Sequence, residues 1–156
     1  MSERVVRVDT DEALSDALAV RHEVFVEGQD VPEDLEYDEW DDDDRTVHFV
    51  AYAGSDGGTD GARPVGAARL RPYREGVGKV QRVAVREAVQ GEGWGRRLMD
   101  ELEAVAGAEG YERLELDAQT HAVGFYERLG YHVTSEEEFL DAGIPHLAMA
   151  KALRNC

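Results

Sequence analysis

The chain has 156 residues and a formal net charge of −17, with a pI of about 4.5. This length predicts a single domain, residues 1–156, with room for a hydrophobic core. The negative charge disfavours nucleic acid and anionic membranes as partners, because binding to phosphate needs a basic surface. Only two of the 17 basic residues are lysines, Lys79 and Lys151. Abundant Asp and Glu with so little Lys indicates a salt-adapted, halophilic surface.

The sequence also bears on compartment and on metal binding. It contains no apparent signal peptide and no long apolar run, so we expect a cytoplasmic protein without a membrane span. The single cysteine, Cys156, cannot form an internal disulfide and is badly placed for a nucleophile. The spacing of His22, His48 and His132 is not typical of a metal site, so no metal is expected.

The first quarter of the chain predicts a strand, a helix and an acidic segment. Residues 4–9 form the strand, and Asp9 with Glu12 predicts a capped helix start. The helix is expected to end near Gly28. Residues 30–45 are irregular and very acidic, and two interpretations remain open. The segment is a solvated loop, or Glu36, Asp38 and Asp41 line a pocket that attracts a cationic amine.

Three strands are predicted in the middle of the chain. Residues 46–53 and 65–73 form a hairpin, whose Gly/Asp-rich tip, Gly54 to Arg63, is expected to be disordered. Residues 79–85 alternate apolar and polar side chains and form the next strand.

A glycine-dense turn, residues 90–95, separates that strand from a helix. The helix is predicted from the spacing of its apolar residues, Leu98, Met99, Leu102, Val105 and Ala106. Its first N–H groups lack intrahelical partners and attract anions, and glycines let a phosphate approach the backbone. Arg96 and Arg97 follow with further positive charge. The turn fits neither the dinucleotide fingerprint nor the P-loop, and a plain connection without a ligand stays an alternative.

The remaining elements alternate strands and helices. The main helix runs to about Ala108, before a C-terminal Gly110. Strands are predicted at residues 113–118, 131–135 and 146–153, a short helix at 122–129, and a loop at 136–145. Together the elements predict an α/β fold in which helices cover a mixed sheet.

Two motifs resemble the GCN5-related N-acetyltransferase (GNAT) family. The first is Gln90-x-x-Gly93-x-Gly95, which matches the family's turn for the pyrophosphate of acetyl-CoA. The second, about 30 residues later, matches A-x-x-[FL]-Y-x-x-x-G-[FY]; its residues are Ala122, Phe125, Tyr126, Gly130 and Tyr131. Ordinary packing of a helix on a sheet is the alternative for the second motif. The segments 21–26, 36–38 and 139–146 are similar to the ElaA-like branch.

The resemblance implies a mostly antiparallel sheet that splays between strands 4 and 5, with helices on both faces. Acetyl-CoA would be the co-substrate, and its pantetheine would pair with the main chain of the fourth strand. The residues implied at the cofactor are Val83, Ala84, Val85, Gln90, Gly91, Glu92, Gly93, Trp94, Gly95, Arg96, Gln119 and Phe125. The family often has Asn at the position of Gln119.

The same resemblance implies an N-acetyltransferase that acts on a small-molecule or protein amine. Tyr126 would be the general acid for the leaving thiolate. Because no internal cysteine can carry an acetyl group, direct attack in a ternary complex is favoured. Candidates for the base are His146, Glu36 and His121, and His146 has the best case because it starts the last strand. Glu36 and Asp38 would bind the amine.

Two other classes of function stay open at this point. A non-catalytic acyl-CoA-binding or sensor module would keep the cofactor site without turnover. A pure interaction domain would use the acidic segment and bind no ligand. A last strand exposed at the sheet edge would also pair with its copy, which predicts a homodimer.

Overall fold

The computed structural model describes residues 4–54 and 63–153. Its strands are β1 (Arg4–Arg7), β2 (Val47–Ala53), β3 (Arg63–Arg74), β4 (Val77–Val85), β5 (Arg113–Gln119), β6 (His132–Val133), β7 (Phe139–Asp141) and β8 (Ile144–Ala152). These described strands form one sheet in the order β1-β2-β3-β4-β5-β8-β6, and β7 also pairs with β8. Neighbouring strands are antiparallel except β4 and β5, which are parallel.

The helices are α1 (Asp11–Arg21), α2 (Glu33–Glu36), α3 (Trp94–Ala108) and α4 (Val123–Arg128). α1 continues as a π-helix, His22–Glu27, and short 3₁₀ turns occupy Glu39–Asp42, Glu87–Val89 and Thr120–Ala122. In the described part of the chain, no helix combines the length and the apolar character that crossing a membrane requires.

Helices cover both faces of the sheet, as the resemblance implied. Successive residues of a strand point to opposite faces. Phe49 and Ala51 of β2 therefore belong to the core under α3, whereas Val50 and Tyr52 belong to the core under α1. The predicted apolar stripe of α3 is confirmed, since Leu98, Met99, Leu102 and Ala106 are fully buried. The mixed, mostly antiparallel fold is confirmed as well.

The sheet splays between β4 and β5. Their parallel pairing stops at Val80 and Leu116, although both strands continue. In β4, two residues, Arg82 and Val83, stand opposite Ala68 of β3, so the strand contains a β-bulge. A bulge bends a strand and increases its twist. The bend turns the end of β4 away from β5, which stays paired with β8 up to Gln119.

Three details of the predicted elements were wrong. α1 is capped by Thr10, whose hydroxyl accepts from the Ala13 N–H at 3.1 Å, rather than by Asp9. The predicted loop 136–145 contains β7, which pairs with the start of β8 as a hairpin. The last strand, β8, is not exposed at an edge, because β5 pairs along one side and β6 and β7 along the other. Within the described sheet, β8 therefore has no free edge for the pairing with a copy from which a homodimer was expected.

Two expectations lie largely outside the described residues. The disorder expected for the tip Gly54 to Arg63 concerns mainly residues 55–62, and Cys156 belongs to the last three residues.

Candidate active site

A cleft of about 350 Å³ opens where β4 and β5 part. One wall is the end of β4 and the other is the end of β5 with the start of α4. The π-helix after α1, the following acidic segment and the β7–β8 hairpin close the cleft on the remaining sides. This volume is typical of small-molecule sites. The cleft contains these sequence-predicted site residues: Glu36, Val83, Ala84, Val85, Gln90, Gln119, His121, Tyr126 and His146.

The β4 wall offers main-chain groups that no neighbouring strand pairs on the β5 side. Residues 81–85 of β4 pair with β3 but lie beyond the end of the β4–β5 ladder. An exposed strand edge can bind an extended ligand through its N–H and C=O groups. The Val85 carbonyl also accepts from the side chain of Gln90 at 3.0 Å. This bond ties the glycine turn to the strand.

The glycine turn lies beside this wall, at the N-terminus of α3. Gly91 and Gly93 have φ values of 87° and 91°, a region that side chains disfavour, and an added Cβ at either would meet nothing within 4 Å. Gly93 is the N-cap of α3 and has no side chain to occupy the first N–H groups. The turn therefore presents open backbone and a helix dipole toward a prospective anion.

The other residues predicted at the turn differ in exposure. Gly91, Glu92, Gly93 and Arg96 are exposed, whereas the Trp94 side chain is packed in the core, so only its backbone belongs to the turn. A Cβ at Gly95 would lie 3.0 Å from the ring of Phe125. Phe125 thus packs α4 against the start of α3, and the glycine allows that close approach.

Tyr126 of α4 reaches the cleft from the β5 side. Its ring packs edge-on against Phe125 and Tyr131, at centroid distances of 4.9 and 5.8 Å. Only 8% of the residue is exposed. Burial raises the pKa of the Tyr126 phenol above its usual value. The phenol is therefore protonated at neutral pH.

His146 lies on β8, directly opposite Gln119 of β5. Its Nδ1 lies 2.7 Å from the Ile144 carbonyl oxygen. Because a carbonyl can only accept, Nδ1 carries the hydrogen, and Nε2 of the neutral ring is the basic nitrogen. The Phe139 ring stacks on the imidazole at 6.0 Å. Among the described residues, nothing hydrogen-bonds to Nε2, although His146 is only 8% exposed.

The acidic segment is not a solvated loop. It folds as α2 and a 3₁₀ turn, and it buries Glu36 and Asp41. Their partner is Arg21, which is 1% exposed; its Nε donates to Glu36 and its Nη1 to Asp41, both at 2.6 Å. Burial opposes the charge on Asp41, but the hydrogen bond and charge of Arg21 lower the pKa of this carboxyl to about 2.

Two further arginines complete this network. Arg69 is fully buried, and its Nη1 donates to Asp38 at 2.6 Å and to Asp41 at 3.0 Å. Arg82, at the bulge, has a φ of 59°. Its Nε donates to the Glu36 carbonyl at 2.9 Å and its Nη2 to Asp38 at 3.2 Å. These bonds attach the acidic segment to β4 and hold a backbone conformation that would otherwise be strained.

The network changes the role expected of the two predicted substrate-binding carboxylates. Asp38 does not line the cleft, since its oxygens bind Arg69 and Arg82. Glu36 does line the cleft, but its carboxylate is held by Arg21 and lies 3.6 Å from Arg82. Both carboxylates are therefore neutralised within the protein.

Several cleft residues were missed in the sequence. Gln29, from the segment after the π-helix, exchanges two amide hydrogen bonds with Gln119, at 3.2 and 2.9 Å. Lys79 and Asp117 form an ion pair of 3.4 Å on the cleft surface. Asp141 lines the cleft from the β7–β8 hairpin. The turn signal Ala142-Gly143 next to His146 could have revealed this hairpin.

Comparison with known proteins identifies the family. Residues 14–153 match the family model described as an acetyltransferase (GNAT) domain. The chain belongs to the GNAT acetyltransferase family. YjcF of Bacillus subtilis, described as an uncharacterized N-acetyltransferase, is 44% identical over 148 residues, which cover 95% of this acetyltransferase and 99% of YjcF. ElaA of Escherichia coli is 31% identical over 142 residues, covering 86% and 84% of the two chains.

Solved structures agree with this assignment. An acyl-CoA N-acyltransferase from Pseudomonas aeruginosa superposes with a TM-score of 0.82 at 30% identity, covering 97% of this acetyltransferase and 100% of that chain. The crystal structure of Escherichia coli ElaA has a TM-score of 0.80 at 24% identity, and the match covers 96% of this acetyltransferase and 99% of ElaA. The resemblance to the ElaA-like branch and the enzyme class are confirmed.

Proposed function

We propose that residues 1–156 act as one domain that transfers an acetyl group from acetyl-CoA to a primary amine by direct attack. One observation carries the proposal: the parting of β4 and β5 opens a single cleft that contains the free edge of β4, Tyr126 and His146. In this arrangement an extended thioester along β4 meets an acid from one side and a base from another.

The residues present fit acetyl-CoA, which would supply an activated thioester. The open backbone at Gly91 and Gly93, with the N-terminus of α3, suits a pyrophosphate. Val83 and Val85 would bind the amide groups of pantetheine as an added strand does. Gln119 would contact the cofactor only after exchanging its hydrogen bonds with Gln29.

Proton transfers at the amine nitrogen and at the leaving sulfur accompany the proposed reaction. An alkyl ammonium has a pKa near 10.4, so it must lose a proton before it attacks. His146 Nε2 would take that proton, because Nδ1 is committed to Ile144. The amine nitrogen then forms a bond to the acetyl carbon as the carbon–sulfur bond breaks. Tyr126, a protonated phenol, would give its proton to the departing thiolate. The nitrogen would lose a second proton as it becomes an amide, and this proton would restore the Tyr126 phenol.

The acceptor is a small-molecule or protein amine, and no step above needs a metal ion. Among the described residues, no group of three or more His, Cys, Asp or Glu side chains is arranged to hold one. We further propose a cytoplasmic location, where acetyl-CoA is available, and a surface adapted to high salt.

The cofactor site is tested by calorimetric titration of acetyl-CoA into Gly93→Asp. An aspartate there would place a negative charge in the proposed pyrophosphate site. Gly110→Asp is a matched control, since Gly110 has a φ of 94°, equally open surroundings and a position beyond the other end of α3. We expect Gly93→Asp to abolish binding and Gly110→Asp to preserve it. Equal affinity of the two variants would refute the glycine-turn site.

A further inference from the structure

Three carboxylates line the cleft among the described residues, and they differ in how far they are already paired. Glu36 is bound by Arg21 at 2.6 Å. Asp117 faces Lys79 at 3.4 Å. Asp141 makes no side-chain hydrogen bond and no ion pair within the described residues. Its charge is therefore the one least compensated by the protein.

Asp141 lies close to the proposed base. β7 and β8 pair Asp141 with Ile144 and Phe139 with His146, so residues two apart share one face of this hairpin. Strand spacing and rise place the Cα atoms of Asp141 and His146 roughly 8 Å apart. Both side chains line the same cleft, and His146 Nε2 has no hydrogen-bond partner in the described structure. The unpaired nitrogen and the unpaired carboxylate thus occupy neighbouring parts of one site.

The carboxylate is poorly suited to hold the reacting nitrogen itself. A nearby negative charge stabilises the ammonium form and raises its pKa. This would oppose the proton loss that precedes attack. A second positive group, separated from the reacting nitrogen by a short spacer, could pair with Asp141. This pairing would bind the acceptor without raising the pKa of the reacting nitrogen as much.

Resting on the function proposed above, we infer that the acceptor is a diamine-like molecule, in which one nitrogen meets His146 and a second cation pairs with Asp141. The cations on the cleft surface do not compete for this carboxylate. Lys79 faces Asp117, and the guanidinium of Arg82 binds Glu36 and Asp38. The acidic segment, which first suggested a cation site, contributes only one carboxylate to the cleft surface, the neutralised Glu36.

The test compares kcat/KM for 1,4-diaminobutane and 1-aminobutane in the native enzyme, Asp141→Asn and Glu138→Gln. Glu138 is an exposed acid just before β7 that does not line the cleft, so its variant controls for net charge. The native enzyme should prefer the diamine. Asp141→Asn should lower the diamine-to-monoamine ratio about two- to fivefold, as expected for a partly exposed ion pair. Glu138→Gln should leave the ratio unchanged.

Salt gives an independent readout. Raising the ionic strength should reduce the diamine preference of the native enzyme and leave that of Asp141→Asn unchanged, because salt screens an exposed pair. Equal use of both amines by the native enzyme, or a preference that survives Asp141→Asn, would overturn this acceptor assignment alone. Absence of turnover with either amine would overturn the acceptor assignment. The proposed function would fall as well only if the native enzyme also failed to bind acetyl-CoA in the calorimetric titration.

Discussion

The buried pair between Arg21 and Asp41 gives a quantitative prediction. The pKa of Asp41 is about 2 in the folded protein, against an ordinary value of 3.8. A carboxyl with this difference stabilises the folded state by about 2 kcal/mol at neutral pH. Asp41→Asn removes the charge and leaves Arg21 and Arg69 with too few partners. We expect the free energy of unfolding to fall by at least about 2 kcal/mol.

The pH dependence follows with a definite sign. A lowered pKa contributes stability that is fully present above the unfolded value of 3.8 and is lost as the pH falls toward about 2. The free energy of unfolding, measured with urea, should therefore fall more steeply below about pH 5 for the native protein than for Asp41→Asn.

Asp43→Asn is the control for this experiment. The hydrogen bonds from Arg45 also lower the pKa of Asp43 to about 2, but Arg45 is exposed and Asp43 is partly exposed, so solvent screens the pair. Asp43→Asn should therefore change stability far less than Asp41→Asn. Equal unfolding midpoints for native protein and Asp41→Asn, or equal losses in the two variants, would refute the reasoning that the buried network holds the acidic segment.

Three further predictions concern the site and the surface. Tyr126→Phe should lower kcat by about a hundredfold while the Kd for acetyl-CoA stays nearly constant, as steady-state kinetics and calorimetry can measure; an unchanged kcat would remove Tyr126 from the mechanism. His146→Gln should reduce kcat by a similar factor, because the amide cannot accept the ammonium proton; activity near the native level would exclude His146 as the base. The melting temperature should rise by several degrees between about 0.1 and 2 M KCl, because salt screens the repulsion within a chain of net charge −17; indifference to salt would contradict a halophilic surface.

Local patterns predicted most of the elements. The helical spacing of Leu98, Met99 and Leu102 reflects a face that is buried on folding, so the sequence records it directly. In β4, the apolar residues Val80, Val83 and Val85 pack against the core under α3, although the bulge interrupts the strict alternation. The start of α3 at the glycine turn was also predictable, because Gly91 and Gly93 adopt backbone conformations that other residues disfavour.

Features that depend on distant partners could not be predicted in this way. Arg21 occurs in a helical stripe and shows no sign in the sequence that it is buried between Glu36 and Asp41. Its burial depends on residues 15 and 20 positions away. For the same reason the acidic segment resembled a solvated loop, although three buried or partly buried arginines neutralise it.

In the candidate site, too, local patterns predicted some features, whereas features that depend on distant contacts were missed. Both family motifs lie on single strand–turn–helix units, and they located the glycine turn and Tyr126. The short strand β7 lacks a periodic pattern, and its pairing with β8 is a tertiary contact. Asp141 was therefore missed, although it stands five residues before His146, which the sequence singles out as a candidate base. The insertion of β8 between β5 and β6 likewise follows from sheet topology, which no local pattern specifies.

The central claim is direct transfer of acetyl from acetyl-CoA to an amine within one ternary complex. The most direct test measures initial rates of thiol release while acetyl-CoA and 1,4-diaminobutane are varied together, with the N-acetyl product quantified by mass spectrometry. The account predicts intersecting double-reciprocal lines and equal amounts of free thiol and acetylated amine. Parallel lines, which indicate an acetylated enzyme intermediate, or thiol release that is independent of the amine would contradict it.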